Sequence, residues 1–409
     1  MALPVIGTFD GNATMAGAYP DIRLFAVTTG WAFSEQAGFP PPYNTSTEVG
    51  GCGPYQRYNA QRCLAWQPAT QPTIIGGFSA VCFYAALALR ASRGLPAGTV
   101  LGLIHASYVG TDMQTWSPPE ALAACVLPPP AAAPRLGGGP TPIPTNFSSL
   151  WNAMIHPIVR FGIRGVLWNQ GEANMGWGEA DFGCLFQALI AAWRARWRLD
   201  FFFGFVQLGT QPVPVWPSYL SGSRLGQADA LPGRSKTNRT AMAIAYDVGD
   251  HTSVHARNKT IIGARLAAGL LHVEWGIGLP ANNYAPPTLA SAVLGADGDV
   301  VFSFATADGR GIFLNDTRDC WQCCAQGRDH FQLVGSANGR TTYVNATVRL
   351  GPSAGGVVST VIATPAAPGA YTEATFARGL WPQCAVFGLG NAMPAEPFRV
   401  NLTSAEQRQ

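Results

Sequence analysis

Gly165–Asn174 reads GVLWNQGEAN. Its first four residues are apolar, and the run breaks without transition into Asn169, Gln170, Gly171 and Glu172. This is the pattern of a buried parallel strand whose carboxyl end opens into a polar loop. In open α/β sheets that end is where ligands bind. Burying amide and carboxylate groups together is costly unless they bond each other or a substrate. Gln170 and Glu172 therefore invite a functional role, with a plain tie between the loop and its neighbours as the alternative.

The flanking sequence repeats the alternation. Ile22–Phe25 (IRLF), Val100–Ser107 (VLGLIHAS), Phe201–Leu208 (FFFGFVQL) and a run from Ala241 to Tyr246 read as further buried strands. Helices are expected from near Phe78, with Ser79 as the cap, over Phe147–Arg160 carrying Asn152 and His156, over Asp181–Trp197, and from near Asn258. Strand, helix and strand in succession predict an α/β fold with a parallel doubly wound sheet. Ser79 in GGFSA has neither the preceding strand nor the glycine two residues on that a nucleophile elbow needs, so it is read as the cap. His156 is read as structural. From about Leu279 the pattern changes to alternation punctuated by glycine, at Val300–Ala305, Thr342–Leu350 and Val357–Thr364, which predicts half-solvated antiparallel strands in a second, β-rich module over 279–409.

Composition narrows the function. Charged residues make up 12% of the 409, and 47 glycines and 32 prolines punctuate the chain, so it is globular and rich in loops. A net charge of +3 with no Lys/Arg run excludes the electrostatics of a nucleic-acid binder. No apolar run reaches the length of a bilayer span, and MALPVIGTFDG at the start lacks the regions of a signal peptide. Sequons nevertheless begin at Asn12, Asn44, Asn146, Asn238, Asn258, Asn315, Asn345 and Asn401, as in a glycoprotein of the secretory pathway. Nine cysteines, an odd number, include Cys52 with Cys63 and Cys320 with Cys323 and Cys324 in loops that disulfides would staple. A zinc reading of the last three lacks a second CxxC or HxxxH partner.

The ordered blocks GVLWNQGEAN, LWNAMIHPI at Leu150–Ile158, FQALIAAWRARW at Phe186–Trp197 and FFFGFVQL together resemble the sialate O-acetylesterase family, a branch of the SGNH (GDSL-like) hydrolases, from Met1 to about Arg399. Ala241–Leu266 resembles that family's D-x-GD…IHPxNKxxxGxRL block, in which the IHP histidine is the general base; here it is His255, with Ala256 in place of the proline. Imidazole titrates near neutrality and suits that task. Asp250 is expected to orient it, with Asp247, a backbone carbonyl or a bare Ser–His dyad left open. His251 carries no motif support. Tyr108–Thr111 resembles the family's SWGGT block, which implies that the Gly110 N–H binds the oxyanion, although Val109 replaces the first glycine of the pair. Gln170 would be a further oxyanion donor, and Glu172, Asn174 and Thr111 would support it or bind substrate.

The nucleophile in this family lies in a GQSNM block followed by M-x-LPV. Met1–Val5 reads MALPV, so the resemblance makes Met1 the last letter of that block and sets the serine two residues before the first residue. On this reading the sequence is clipped inside residues 1–278, the SGNH-type domain, and the sheet loses its first, interior strand. The 409-residue chain is then expected to be inactive and poorly stable, with the edges of the neighbouring strands exposed. The resemblance implies O-acetylated sialic acid as substrate, or another acetylated carbohydrate of plant or microbial polysaccharide, with no metal or organic cofactor and an extracellular or lysosomal site of action. The rival reading is an inactive paralogue or glycan-binding protein.

Overall fold

The computed structural model describes residues 4–27, 30–38, 65–71, 75–92, 94–127, 146–210, 218–250, 253, 255–277, 285–314, 331–337, 339–379 and 386–404. The expectations for Cys52, Cys63, Cys320, Cys323, Cys324 and His251 lie outside these residues. The chain divides into two compact units.

The first unit comprises Met1–Val206, Gly226–Ala243 and Arg257–Ile277. Its helices are α1 (Gly11–Ala16), α2 (Ala80–Ala91), α3 (Met113–Trp116), α4 (Pro119–Ala123), α5 (Glu179–Trp197) and, beyond α6 (Ser218–Ala228), α7 (Lys259–Trp275). The expected parallel strands form: β1 (Tyr19–Ala26), β3 (Leu101–His105), β4 (Gly165–Trp168), β5 (Phe202–Val206) and β6 (Thr240–Ala243). A short β2 (Gln67–Ala69) pairs antiparallel with β1, inside a stretch whose sequence shows no periodicity. Among the described residues the strands do not make one sheet. β1 pairs parallel with β3, β4 with β5 and β5 with β6, giving two separate sheets in the orders β2-β1-β3 and β4-β5-β6.

Side-chain chemistry accounts for the layers. Phe202, Phe203 and Phe205 are fully buried on both faces of β5, as a continuous apolar run dictates. α5 places Phe182, Phe186, Trp193 and Trp197 at helical spacing, with Glu179 and Asp181 in its first turn and Arg194 and Arg196 in its last, where each sign suits the helix dipole. Trp193 packs 5.8 Å from Trp168 of β4 and 5.9 Å from Trp151, ring centre to ring centre. Ser79 caps α2, accepting the Cys82 N–H at 3.5 Å.

The expected helix over Phe147–Arg160 is instead a π turn at Trp151–Ile155 followed by a tight 3-10 turn at His156–Ile158. Pro157 has no N–H to continue an α-helical ladder. His156 is structural, as expected. Its Nδ1 lies 2.9 Å from the Gln36 carbonyl and its Nε2 3.2 Å from the Glu35 carboxylate. Cys125 and Cys184 form a disulfide that ties the segment after α4 to α5.

The second unit comprises Gln207–Leu225, Ile244–Ala256 and Gly278–Gln409. Its strands are β7 (Thr288–Leu294), β8 (Val300–Ala305), β9 (Ile312–Leu314), β10 (Phe331–Ala337), β11 (Arg340–Leu350), β12 (Thr360–Pro365), β13 (Tyr371–Phe376), β14 (Val386–Gly388), β15 (Phe398–Asn401) and β16 (Thr403–Ser404). The large sheet runs β15-β13-β10-β11-β12-β8-β7-β16, antiparallel except for β16 beside β7. Alternating burial along β8 matches the half-solvated pattern of its sequence. Phe302, Phe331, Phe376 and Phe398 form its aromatic core, Phe331 lying 4.8 Å from Phe376. Arg224 is fully buried and donates to the carbonyls of Leu208, Gly209, Ala377 and Gly379, which clamps two loops together.

Candidate active site

In the first unit the carboxyl ends of β3 and β4 meet. Gly110 follows β3 with φ +72°, a conformation that favours glycine, and Gly171 follows β4 with φ 148°. The next residue, Thr111, is 4% exposed. Its hydroxyl donates to the Tyr108 carbonyl at 2.8 Å and accepts the Trp116 indole N–H at 2.9 Å. Gln170 donates through Nε2 to the Thr111 carbonyl at 3.0 Å and to Asn174 Oδ1 at 2.9 Å. Asn174 Oδ1 also accepts the Met113 N–H at 2.8 Å, and its Nδ2 donates to Gln114 Oε1 at 2.8 Å.

This network fixes the Gln170 amide. The Thr111 main chain offers only an acceptor at that point, so Nε2 must face it, and both amide N–H groups are engaged. Gln170 Oε1 is buried and has no hydrogen-bond partner among the described residues. The atom that Gln170 presents is therefore a carbonyl oxygen, an acceptor. It can donate to an oxyanion only by giving up Thr111 or Asn174.

Glu172 opens a tight turn over Glu172–Asn174. Its charge acts on Lys259, the first residue of α7, which is 5% exposed. Burial pushes the Lys259 ammonium down to about 8, against the opposing pull of Glu172. At the end of β3, His105 Nε2 lies 2.8 Å from Ser107 Oγ, and burial pushes the imidazole down to about 4. His105 is thus neutral at pH 7 and a weak base. Among the described residues no cluster of His, Cys, Asp and Glu could hold a metal ion.

The second unit carries the other block. β6 stops at Ala243, short of the expected end at Tyr246, which instead begins a tight turn, Tyr246–Val248, containing Asp247. Tyr246 is fully buried and its hydroxyl donates to the Ala395 carbonyl, a tertiary bond that overrides the strand pattern. Asp250 and His255 are both half-buried. The Ser253 N–H donates to the Asp250 carbonyl at 3.3 Å, and the His255 N–H donates to Ser253 Oγ at 3.0 Å.

No protein-family model matches the sequence. The chain is 25% identical to a sialate O-acetylesterase of Rattus norvegicus over 98% of its own length and 76% of the relative's. It is 26% identical to a sialate O-acetylesterase of Pongo abelii over 84% of its own length and 65% of the relative's. These similarities support the sialate O-acetylesterase family for this chain. The crystal structure of a carbohydrate acetylesterase from Xanthomonas citri superposes with a TM-score of 0.72, at 24% identity, over 98% of this chain and 78% of that one, and so shares its fold.

Of the family-like blocks, those around Gly110 and Gln170 converge in one hydrogen-bonded network. Sequence reading singled out Gln170, Asn174 and Thr111 but missed Gln114, His105, Ser107 and Lys259. Lys259 stands in the quoted Asn-Lys block and carried its own signal, a lysine at the start of an apolar helix. Gln114 carried none, because its partner lies 60 residues away.

Proposed function

We propose that this protein is a carbohydrate O-acetylesterase acting on acetylated sialic acid, with acetylated plant or microbial polysaccharide as the alternative substrate. The similarity to two sialate O-acetylesterases carries this reading. Joint anchoring of the Gly110 and Gln170 loops supports it. The nucleophile is a serine supplied by polypeptide ahead of Met1. His255 removes the serine proton, the serine oxygen attacks the acetyl carbonyl, and the negative charge that develops on the carbonyl oxygen is met by the Gly110 N–H. The C–O bond to the sugar breaks and His255 returns the proton to the departing hydroxyl. Water, deprotonated in turn by His255, then releases acetate. Asp250 orients the imidazole, with Asp247 as the competing acid. Gln170, Asn174 and Thr111 hold the Gly110 loop in place, and Glu172 supports the Gln170 loop. The protein acts in the secretory pathway, extracellularly or in a lysosome.

The test is acetate release from O-acetylated sialosides and from acetylated xylan, using the 409-residue chain and a version extended ahead of Met1 with Gly-Gln-Ser-Asn and a preceding apolar segment. The extended protein should cleave sialosides, and the original chain should not. His255→Ala should lower kcat of the active form by about 10³-fold or more. Turnover by the original chain that depends on His255 would overturn the upstream serine. An extended chain that cleaves neither substrate would favour a glycan-binding protein.

A further inference from the structure

Arg257 follows His255 by two residues and precedes Lys259, the first residue of α7, by two. It belongs to the first unit, where its backbone is held from two sides. The Arg257 carbonyl accepts the Phe9 N–H at 3.3 Å and the Lys259 N–H at 3.0 Å. Three residues on, the Thr260 hydroxyl donates to Asp10 Oδ2 at 2.6 Å. The segment 7–10 is thus fastened to the start of α7. Lys259 in turn feels the charge of Glu172, which sets this corner near the turn that follows β4 and Gln170.

The Arg257 side chain is exposed but pinned. Its guanidinium carbon stands over the Phe9 ring, 4.9 Å from the ring centre, and its Nε donates to the Gly7 carbonyl at 3.3 Å. Stacking on an aromatic face engages the flat of the guanidinium and leaves its edge open. The Nε bond uses one of five N–H groups, and the two terminal nitrogens have no partner among the described residues. Asp10, the acid of the neighbouring segment, is engaged by Thr260 instead.

A guanidinium held in one plane matches a carboxylate, whose two oxygens accept a pair of parallel N–H bonds. Phe9 itself is 55% exposed, so a bare aromatic face adjoins the cation. Such a face suits the C–H surface of a sugar ring. Cation and ring together fit a sugar acid better than a neutral sugar.

We infer that Arg257, seated on Phe9, is a carboxylate anchor that selects acidic sugars over neutral ones. The inference rests on the acetylesterase reading and narrows its substrate, since a sialoside carries a carboxylate and the acetylated sugars of a xylan backbone do not. Phe9 and Gly7 already order the long side chain, so little rotamer freedom is left to lose when the ligand arrives.

The probe is the methyl glycoside of a sialic acid, titrated onto the 409-residue chain and compared with the methyl ester of the same glycoside, which lacks the charge. Ligand-observed NMR should show the acid binding about tenfold tighter than the ester or better. Arg257→Gln should abolish that preference by weakening the acid alone, with an unchanged urea midpoint as the check on folding. Arg257→Lys keeps the charge but loses the fork, and should restore only part of it. Phe9→Ala should weaken both ligands, because both use the ring. Binding of neither ligand by the parent, equal binding of the two, or a preference that survives Arg257→Gln overturns the inference. The comparison within the parent stands even where a variant fails to fold. Catalysis is read separately, in the serine-bearing extended protein. Sialoside cleavage with a KM that Arg257→Gln leaves unchanged would defeat the anchor and keep the esterase. Acid-selective binding that depends on Arg257, without acetate release, would keep the anchor and defeat the esterase.

Discussion

Asn174 is the residue on which the loop after β4 depends. It is 1% exposed, and its one side chain satisfies the Met113 N–H, one Gln170 N–H and Gln114 Oε1. Asn174→Ala strands all three in a place where water cannot replace them. The variant should lose about 2–4 kcal/mol, read as a lowered urea midpoint with unchanged slope. Gln114→Met removes only one of these bonds and should cost less than half as much. An Asn174→Ala midpoint within error of the parent would mean that the network is open to solvent. At this scale Gln170 and Asn174 were legible, because polar residues directly after an apolar run have few ways to be buried cheaply. The partners were not. His156 looked unaccompanied in sequence because Glu35, which faces it, lies 121 positions earlier and only the fold brings them together.

Among elements, the disulfide makes the strongest testable claim. Cys125 and Cys184 are 59 residues apart and enclose β4 and its loop. Cross-linking a loop of that length restricts the unfolded chain, an effect worth about 4 kcal/mol in the chain-entropy model and typically 2–4 in practice. Cys125→Ser with Cys184→Ser should therefore destabilise the fold by that amount, read as a lowered urea midpoint with the slope taken into account, and adding reductant should do the same to the parent. If reductant leaves the parent unchanged, the bond does not form in solution. Sequence spacing drew attention to other cysteines, since Cys125 and Cys184 stand in no motif. Strands were legible for the opposite reason. Phe202, Phe203 and Phe205 make an apolar run that only a doubly covered strand can hide, whereas the partner of each strand edge is a non-local choice that no local period encodes. That is why a single doubly wound sheet was expected and two half-sheets are found. The helix expected at Phe147–Arg160 failed locally, at Pro157.

At the scale of the molecule, His105, Lys259 and Cys82 are three buried groups whose contributions to the dependence of stability on pH fall in different windows. His105 titrates at about 4 in the folded chain against 6.5 for an unperturbed histidine, because burial disfavours its charged form. Its contribution is fully present above pH 6.5 and is lost as pH falls toward 4, by up to about 3 kcal/mol. Lys259 sits at about 8 when folded and 10.5 when unfolded. Between those values the unfolded chain holds a proton that the native chain has released, so stability rises with pH, by about 1 kcal/mol per unit once past pH 8. Cys82 acts in the opposite sense. Burial raises its thiol from 9.0 to about 12, so from pH 9 upward the native chain keeps a proton that the unfolded chain loses, and stability falls. The two slopes oppose each other between about pH 9 and 10.5. Urea midpoints of the parent should decline below pH 6.5, rise gently from 8 to 9, and stay level from there to about 10.5. Lys259→Met should expose the Cys82 term as a fall above pH 9, and Cys82→Ala should expose the Lys259 term as a rise that continues to 10.5. A parent curve that already falls at the full one-proton slope from pH 9 would mean that Lys259 reaches water, and the ammonium beside Glu172 would then be no buried part of the site.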